Sequence, residues 1–144
     1  QALFIVNDHL DLALAVGADG VHLGQDDLPP DVARRVAGPG LILGRSTHSL
    51  DQALAAEREG ADYIGVGPVF ATPTKPGYPA VGLELLRQVR EKVRIPWVAI
   101  GGIDLENAGL VSSAGAACVA VVRAVAAAPD PEAAARSLKG KLSS

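Results

Sequence analysis

Two aspartates, Asp8 and Asp27, are the residues of this chain whose type and position most directly suggest metal chemistry. Asp8 follows the first apolar run of the sequence, and Asp27 lies a few residues beyond the second. If those runs are neighbouring strands, the two carboxylates could share a hard divalent cation with phosphate oxygens and water, as Mg²⁺ sites do. The alternative is that Asp8 caps the following helix and Asp27 is a solvated loop charge. Position alone leaves both interpretations open.

A segment that is long for a strand-to-helix connection, residues 68–82, offers groups that could bind phosphate. It carries Thr72, Pro73, Thr74 and Lys75 where apolar anchors would otherwise be expected. Lys75 can supply a point charge to a phosphate, and the two threonines supply hydroxyl donors. Loops of this length are usually functional. A surface loop with a solvated lysine is the competing interpretation.

Two further turns carry backbone groups suited to phosphate. Gly101 and Gly102 follow a fifth apolar run, and residues 122–124 follow a sixth. Backbone N–H groups at such turns, together with a helix N-terminus, commonly bind phosphate in parallel α/β folds. Glycine also allows a close backbone approach to a ligand. Alternatively, both glycines only serve a tight turn.

The histidines and the single cysteine give weaker signals. His48 follows the third apolar run and could line a pocket or perform general acid–base catalysis, with His9 as the other candidate. His22 lies inside a strand run, which favours a hydrogen-bonded structural role over catalysis. Cys118 lies in an apolar run, which predicts a small buried side chain rather than a site.

Repeated strand and helix units must position these groups. Six apolar runs predict strands at residues 3–6, 20–23, 41–43, 63–66, 97–100 and 118–122. Amphipathic segments between and after them predict helices at residues 30–37, 50–59, 83–92, 105–114 and 131–142. Strands that are apolar almost throughout are typical of a parallel sheet covered on both faces.

The predicted fold is therefore α/β, a (β/α)₈ TIM barrel with about six of its eight βα units in this chain. Six units in 144 residues leave two for the N-terminal side of a barrel of roughly 190 residues. We expect a single domain over residues 1–144, the C-terminal three quarters of a TIM barrel. The rival is an open doubly wound sheet, but no Gly-x-Gly-x-x-Gly follows the first strand and no Gly-x-x-x-x-Gly-Lys loop occurs.

Composition narrows the class of partner. The formal charge is −3 and the basic residues do not cluster, which argues against a nucleic-acid surface. No apolar run approaches the roughly 20 residues of a membrane span, and no secretory signal is visible. We therefore expect a cytoplasmic protein that binds neither nucleic acid nor membrane, and the phosphate-binding groups described above would take small phosphorylated molecules. The chain has no methionine, which predicts a fragment or a trimmed product, and a homo-oligomer is left open.

Five short motifs, taken together, resemble thiamine-phosphate synthase over nearly the full chain. They are Ile5-Val6-Asn7-Asp8, Gly20-Val21-His22-Leu23-Gly24-Gln25-x-Asp27, Gly44-x-Ser46-Thr47-His48, residues 62–75 from Asp62-Tyr63 to Thr74-Lys75, and Ala99-Ile100-Gly101-Gly102-Ile103. Each motif alone is weak, and their order and spacing make the signal specific. The resemblance implies a Mg²⁺-dependent alkyl transfer that joins hydroxymethylpyrimidine pyrophosphate to hydroxyethylthiazole phosphate. Thiamine phosphate and pyrophosphate would be the products.

The resemblance also implies roles for individual residues. Asp8 and Asp27 would hold Mg²⁺, while Asn7, Ser46 and Lys75 would contact the pyrimidine pyrophosphate. Ser46 and Lys75 would be the catalytic residues, and Lys75, like the metal, would neutralise the charge that builds up as pyrophosphate leaves. The site of the thiazole phosphate would be lined by Thr72, Pro73, Thr74, Gly102, Val122 and Arg123.

Two departures from the family pattern qualify this picture. Arg123 stands where the family usually has serine, although arginine could also bind phosphate, even bidentately. A basic N-terminal segment that the family uses to bind pyrophosphate is absent, so we expect the isolated chain to be a poor or inactive catalyst. The alternatives are the related thiazole tautomerase, in which His48 would be catalytic and no metal is needed, and a non-catalytic thiazole-phosphate-binding remnant.

Overall fold

The computed structural model describes residues 2–72, 77 and 79–142. Strands and helices alternate along the chain, apart from a last pair of consecutive helices. The strands are β1 (Ile5–Asn7), β2 (Gly20–Leu23), β3 (Ile42–Thr47), β4 (Tyr63–Val66), β5 (Trp97–Ile100) and β6 (Val119–Ala120). The helices are α1 (Leu10–Ala15), α2 (Pro30–Ala37), α3 (Leu50–Arg58), α4 (Gly82–Lys92), α5 (Ala108–Ser113), α6 (Arg123–Ala126) and α7 (Pro131–Leu142).

The strands form a parallel sheet in the order β1-β2-β3-β4-β5-β6. Val6 is paired with Val21 and Val21 with Leu43, and Ala99 is paired with Val119. Sequential order with a helix between consecutive strands is what repeated βα units produce. The predicted α/β class with a parallel sheet is thereby confirmed. Within the described residues, no helix is both long enough and apolar enough to cross a bilayer.

The chain divides into two compact units. The first unit comprises residues 1–65 and 93–96, and the second comprises residues 66–92 and 97–144. The single-domain expectation stays a prediction. In the first unit, apolar side chains on one face of β1, β2 and β3 pack against α1 and α2, giving a core of Val6, Leu10, Ala13, Val21, Leu23, Ala33, Leu41 and Leu43.

The second unit has its own buried apolar residues. α4 buries Leu85, Leu86 and Val89, and α5 buries Ala108 and Val111. The terminal helix α7 buries Leu138 and contacts both α5 and α6. Such burial at turn-spaced positions is what holds an amphipathic helix to its unit.

Several predicted boundaries differ from the structure. The predicted second, fourth and fifth strands and the helices at residues 30–37 and 131–142 have the observed bounds. β1 extends to Asn7 and β3 to Thr47, because the backbone pairing continues through polar residues that look like loop in the sequence. The short helices α1 and α6 are not among the predicted ones. Cys118 is exposed, so its predicted burial is wrong: β6 has only two residues and begins after it.

The start of α3 gives a testable prediction. Ser49 precedes α3 as its N-cap, and its side chain accepts a hydrogen bond from the Gln52 N–H at 3.2 Å. Ser49→Ala removes this cap, so the free energy of unfolding in urea should fall by about 1 kcal/mol. Ser113→Ala, at the exposed end of α5, should change it by less than about 0.5 kcal/mol. Equal effects of the two substitutions would contradict the capping role.

Candidate active site

The first candidate side chains lie at the end of β1. Asn7 is the last residue of β1 and is paired with His22 of β2. The Asp8 N–H donates to the carbonyl oxygen of His22 at 2.8 Å, which extends the pairing one residue beyond the strand. Asp8 has a φ of +66°, a left-handed conformation in which Asp and Asn are enriched among non-glycine residues. Both side chains are exposed at this edge of the sheet.

Asp27 is held within the loop that follows β2. Its carboxylate oxygen Oδ2 accepts a hydrogen bond from the Gly24 N–H at 2.7 Å. Its own N–H donates to the Gly24 carbonyl oxygen at 3.2 Å. The side chain is half-buried, and its second oxygen, Oδ1, receives no hydrogen bond from the residues that the structure describes. Asp27 is therefore a fixed carboxylate and not a freely solvated charge.

Arg45, a residue to which the sequence assigns no role, braces this loop from β3. Its guanidinium donates to the carbonyl oxygens of Leu28 at 2.9 Å and Gln25 at 3.3 Å. Gln25 in turn donates from Nε2 to the carbonyl oxygen of Ser46 at 2.6 Å. Arg45 is only 6% exposed. The signal that could have identified it is an arginine between buried strand residues, because such a group must find hydrogen-bond acceptors.

Ser46 lies inside β3 and is hydrogen-bonded to a histidine. Its Oγ is 2.9 Å from Nε2 of His22, and Nδ1 of the same ring is 2.9 Å from the hydroxyl of Tyr63 on β4. All three side chains are half-buried. His22 thus has the hydrogen-bonded role expected of it. The sequence assigns no role to Tyr63, because it does not reveal which side chains meet across strands.

Tyr63 should make the free energy of unfolding depend on pH in the alkaline range. Burial of the phenol raises its pKa above the ordinary value of 10.0, because the charged phenolate is disfavoured away from water. Above about pH 10 the unfolded chain therefore loses this proton before the folded chain does. As the pH rises above this value, the free energy of unfolding should fall until the pH exceeds the pKa of Tyr63 in the folded protein. Tyr63→Phe should show a flatter decline in denaturant titrations at several pH values, and an unchanged slope would contradict this.

The other two histidine candidates, His48 and His9, lie next to secondary-structure elements. His48 directly follows β3, and its backbone N–H donates to Oε1 of Gln52 at 2.7 Å. His9 precedes α1 at the N-cap position, where its side chain forms no capping hydrogen bond. The proposed acid–base role of His48 stays a prediction.

Three consecutive paired strands of the first unit thus carry the predicted metal and pyrophosphate ligands that the structure describes. Asn7 and Asp8 lie at the end of β1, Asp27 in the loop after β2, and Ser46 one residue before the end of β3. Two carboxylates, an amide and a hydroxyl suit a hydrated divalent cation and phosphate oxygens. Among the described residues, no group of three or more His, Cys, Asp and Glu side chains could hold a metal. Any cation here would need water or substrate oxygens as further ligands.

In the second unit, Gly102 packs tightly against the loop after β4. The Val69 and Phe70 N–H groups donate to the carbonyl oxygens of Ile100 and Gly101 at 2.9 and 3.0 Å. Gly102 has a φ of +64°, and a Cβ added there would lie 2.9 Å from the carbonyl oxygen of Ala71. The Gly102 carbonyl oxygen accepts from Nδ2 of Asn107 at 2.8 Å. Glycine is therefore required by the turn itself, and its phosphate role stays a prediction.

The other predicted ligands of the thiazole phosphate lie only partly within the described residues. Val122 and Arg123 are exposed at the start of α6. β6 ends at Ala120, two residues earlier than predicted. Thr72 is half-buried. Pro73, Thr74 and Lys75 lie outside the described residues.

Comparisons with known proteins show the family of this chain. A family model described as thiamine monophosphate synthase matches residues 1–125. A thiamine-phosphate synthase of Gloeobacter violaceus is 60% identical over 130 residues, covering 90% of this chain. One from Thermus thermophilus is 57% identical over 141 residues, covering 96% of this chain and 67% of that protein. The structure is similar to a thiamine phosphate pyrophosphorylase from Pyrococcus furiosus, with a TM-score of 0.88, 47% identity, and coverage of 99% and 68% of the two chains.

The shared region is only part of several relatives. The chain spans 38% of the Gloeobacter violaceus protein and 42% of a Synechocystis thiamine-phosphate synthase that is 55% identical.

Proposed function

This chain belongs to the thiamine monophosphate synthase family, and from that premise we propose that it takes part in the synthesis of thiamine phosphate. In the proposed reaction, the bond between the pyrimidine methyl carbon and its pyrophosphate oxygen breaks, and pyrophosphate leaves with the electron pair. The thiazole nitrogen then donates its lone pair to the pyrimidine methyl cation. The observation that carries the proposal is that Asp8, Asp27 and Ser46 lie at or just beyond the carboxyl ends of three consecutive paired strands, β1 to β3. Parallel α/β enzymes build active sites at such carboxyl ends.

The residues of the first unit fit Mg²⁺. Asp8 and Asp27 are the carboxylates that would hold it, with Asp27 oriented by its hydrogen bond to Gly24. Two carboxylates completed by phosphate oxygens and water are a common donor set for Mg²⁺, which seldom has an all-protein cage. When bound, the cation would neutralise charge that develops on the departing pyrophosphate.

The chain's own groups would then bind and orient the pyrophosphate. Ser46 can donate its hydroxyl hydrogen to a phosphate oxygen, and Asn7 can donate from its side-chain amide. Lys75 would add a positive charge, whose effect increases as negative charge accumulates on the leaving group. These are binding and electrostatic roles, which suit a reaction in which one substrate supplies the leaving group and the other supplies the nucleophile.

The second unit would bind the thiazole phosphate. Gly102, Val122 and Arg123 offer backbone N–H groups and one guanidinium, and Thr72, Pro73 and Thr74 would complete the lining. Arg123 is exposed, so its guanidinium is accessible to an anion. We propose that it replaces the serine of the family pattern as a charged phosphate ligand.

The finer fold assignment is also a proposal. Six parallel strands in sequential order would be six of the eight units of a (β/α)₈ barrel. Cytoplasmic location, the absence of nucleic-acid and membrane partners, and a homo-oligomeric state stay predictions. The relatives that match carry the name thiamine-phosphate synthase, which favours the synthase over the thiazole tautomerase.

Calorimetric titration tests the proposal. The protein is titrated with thiazole phosphate, and separately with pyrophosphate in the presence and absence of Mg²⁺. We expect pyrophosphate to bind only with Mg²⁺, and thiazole phosphate to bind without it. Thiazole phosphate binding without any Mg²⁺-dependent pyrophosphate binding would overturn the synthase assignment in favour of the tautomerase or the non-catalytic remnant.

A further inference from the structure

A chain of hydrogen-bonded side chains crosses three strands of the first unit. The Tyr63 hydroxyl is 2.9 Å from Nδ1 of His22, and Nε2 of His22 is 2.9 Å from Oγ of Ser46. The three residues come from β4, β2 and β3. Their half-burial shields the chain from full solvation, which strengthens hydrogen bonds.

A glycine in the middle strand makes this arrangement possible. Gly44 of β3 is paired with His22, and a Cβ added to Gly44 would lie 2.5 Å from the His22 Nδ1 atom and overlap the Tyr63 ring. Because residue 44 has no side chain, the two rings approach each other over β3 with their centroids 5.4 Å apart. Ser46 lies two residues further along β3 and so projects from the same face as Gly44 would.

The direction of the hydrogen bonds decides what Ser46 can offer. A neutral imidazole has one N–H donor and one acceptor nitrogen. If Tyr63 donates to Nδ1, then Nε2 carries the hydrogen and donates to Ser46. The serine hydroxyl hydrogen then points away from the ring and can be donated elsewhere. In the reverse arrangement Ser46 donates to His22 and presents only lone pairs, which repel an anion.

We propose that Tyr63 and His22 are positioning residues, which fix the Ser46 hydroxyl as a hydrogen-bond donor to a pyrophosphate oxygen of the substrate. This rests on the proposed function for the identity of the ligand. The arrangement itself follows from the contacts of the first unit. Burial keeps the Tyr63 phenol protonated over a wider pH range, since its pKa is raised, and this agrees with a donor role.

The first test reads the histidine tautomer by nuclear magnetic resonance. The chain has three histidines, so the ring nitrogens can be resolved with ¹⁵N-histidine labelling, and His22 is assigned by the loss of its signals in His22→Gln. We expect the Nε2–H tautomer of His22 in the wild type and loss of its strong preference in Tyr63→Phe. An Nδ1–H tautomer of His22 in the ligand-free wild type would overturn the proposal.

The second test is a double-mutant cycle on Mg²⁺-dependent pyrophosphate binding. Ser46→Ala should weaken binding about 10- to 100-fold, and Tyr63→Phe should weaken it about 3- to 10-fold. In the Ser46→Ala background, Tyr63→Phe should have no further effect, because the two residues act through one hydroxyl. His22→Gln, whose amide can still donate to Ser46, should retain more affinity than His22→Leu. Ser113→Ala is the matched control and should bind like the wild type.

The outcomes separate the two proposals. The positioning role is overturned if Tyr63→Phe leaves binding unchanged, or if the effects of Tyr63→Phe and Ser46→Ala simply add. The proposed function stands in either case. Absence of Mg²⁺-dependent pyrophosphate binding in the wild type overturns both.

Discussion

Replacing Asp8 by alanine is expected to weaken Mg²⁺-dependent pyrophosphate binding roughly 100-fold or more. Loss of an outer partner that merely orients a metal ligand typically costs about 10- to 100-fold in affinity, so loss of a direct ligand should cost at least as much. Asp8 is also exposed, so its removal leaves the core intact. Isothermal titration with pyrophosphate at saturating Mg²⁺ measures the effect, and thermal unfolding confirms that the variant is folded.

Two substitutions of Asp27 separate the effect of its negative charge from the effect of its hydrogen bond to Gly24. Asp27→Asn keeps an oxygen that can accept from the Gly24 N–H but removes the negative charge, whereas Asp27→Ala removes both. If the charge binds the cation, the two variants should lose affinity to a similar extent. Asp26→Ala changes the adjacent exposed carboxylate and should bind like the wild type. Equal losses in Asp26→Ala and Asp27→Asn would instead indicate a general effect of loop charge.

Gly67→Ala should lower the free energy of unfolding by about 3 kcal/mol or more, at or above the upper end of the usual overpacking range. A Cβ at this position would overlap the backbone carbonyl oxygen of Ile100 and lie 3.0 Å from its carbonyl carbon. Both atoms belong to the last residue of β5, and this residue and Gly101 after it accept hydrogen bonds from the Val69 and Phe70 N–H groups. The strand cannot move aside without breaking those bonds. Urea unfolding followed by circular dichroism measures the loss.

Gly109→Ala is the control for this substitution. Gly109 lies within α5, and a Cβ added there would meet no atom within 4 Å. Alanine reduces the backbone freedom of the unfolded chain and favours helix, so stability should rise by about 0.5–1 kcal/mol. Similar destabilisation by both substitutions would show that the contact with Ile100 is not the cause.

The sequence predicts the order of the elements better than their ends. Buried parallel strands are apolar throughout, and the runs at residues 20–23, 63–66 and 97–100 have the observed bounds. β3 was predicted too short because Arg45 and Ser46 look like loop residues. The structure shows why they are compatible with a strand: Arg45 is satisfied by carbonyl oxygens and Ser46 by His22. Short elements such as α1 contain too few turns to give a clear periodicity.

The candidate site was predictable where it depends on strand ends. Asp8 and Asp27 follow neighbouring strands, so their shared edge could be inferred from chain order alone. The Tyr63–His22–Ser46 contacts could not, because they depend on strand register and on the missing side chain of Gly44. Only three-dimensional pairing shows that a glycine lies between two rings.

The bracing of residues 25–28 by Arg45 has a consequence for engineering and for sequence drift. That loop is held by the Asp27 and Gln25 side chains and by a guanidinium that projects from a strand to two carbonyl oxygens, which any amino acid would supply. The side chain at position 26 is therefore open to diversification in a library, while position 45 should be kept constant. Lysine there would preserve charge but not the planar fork that reaches both carbonyls. New specificities could thus be selected on the loop without rebuilding its support.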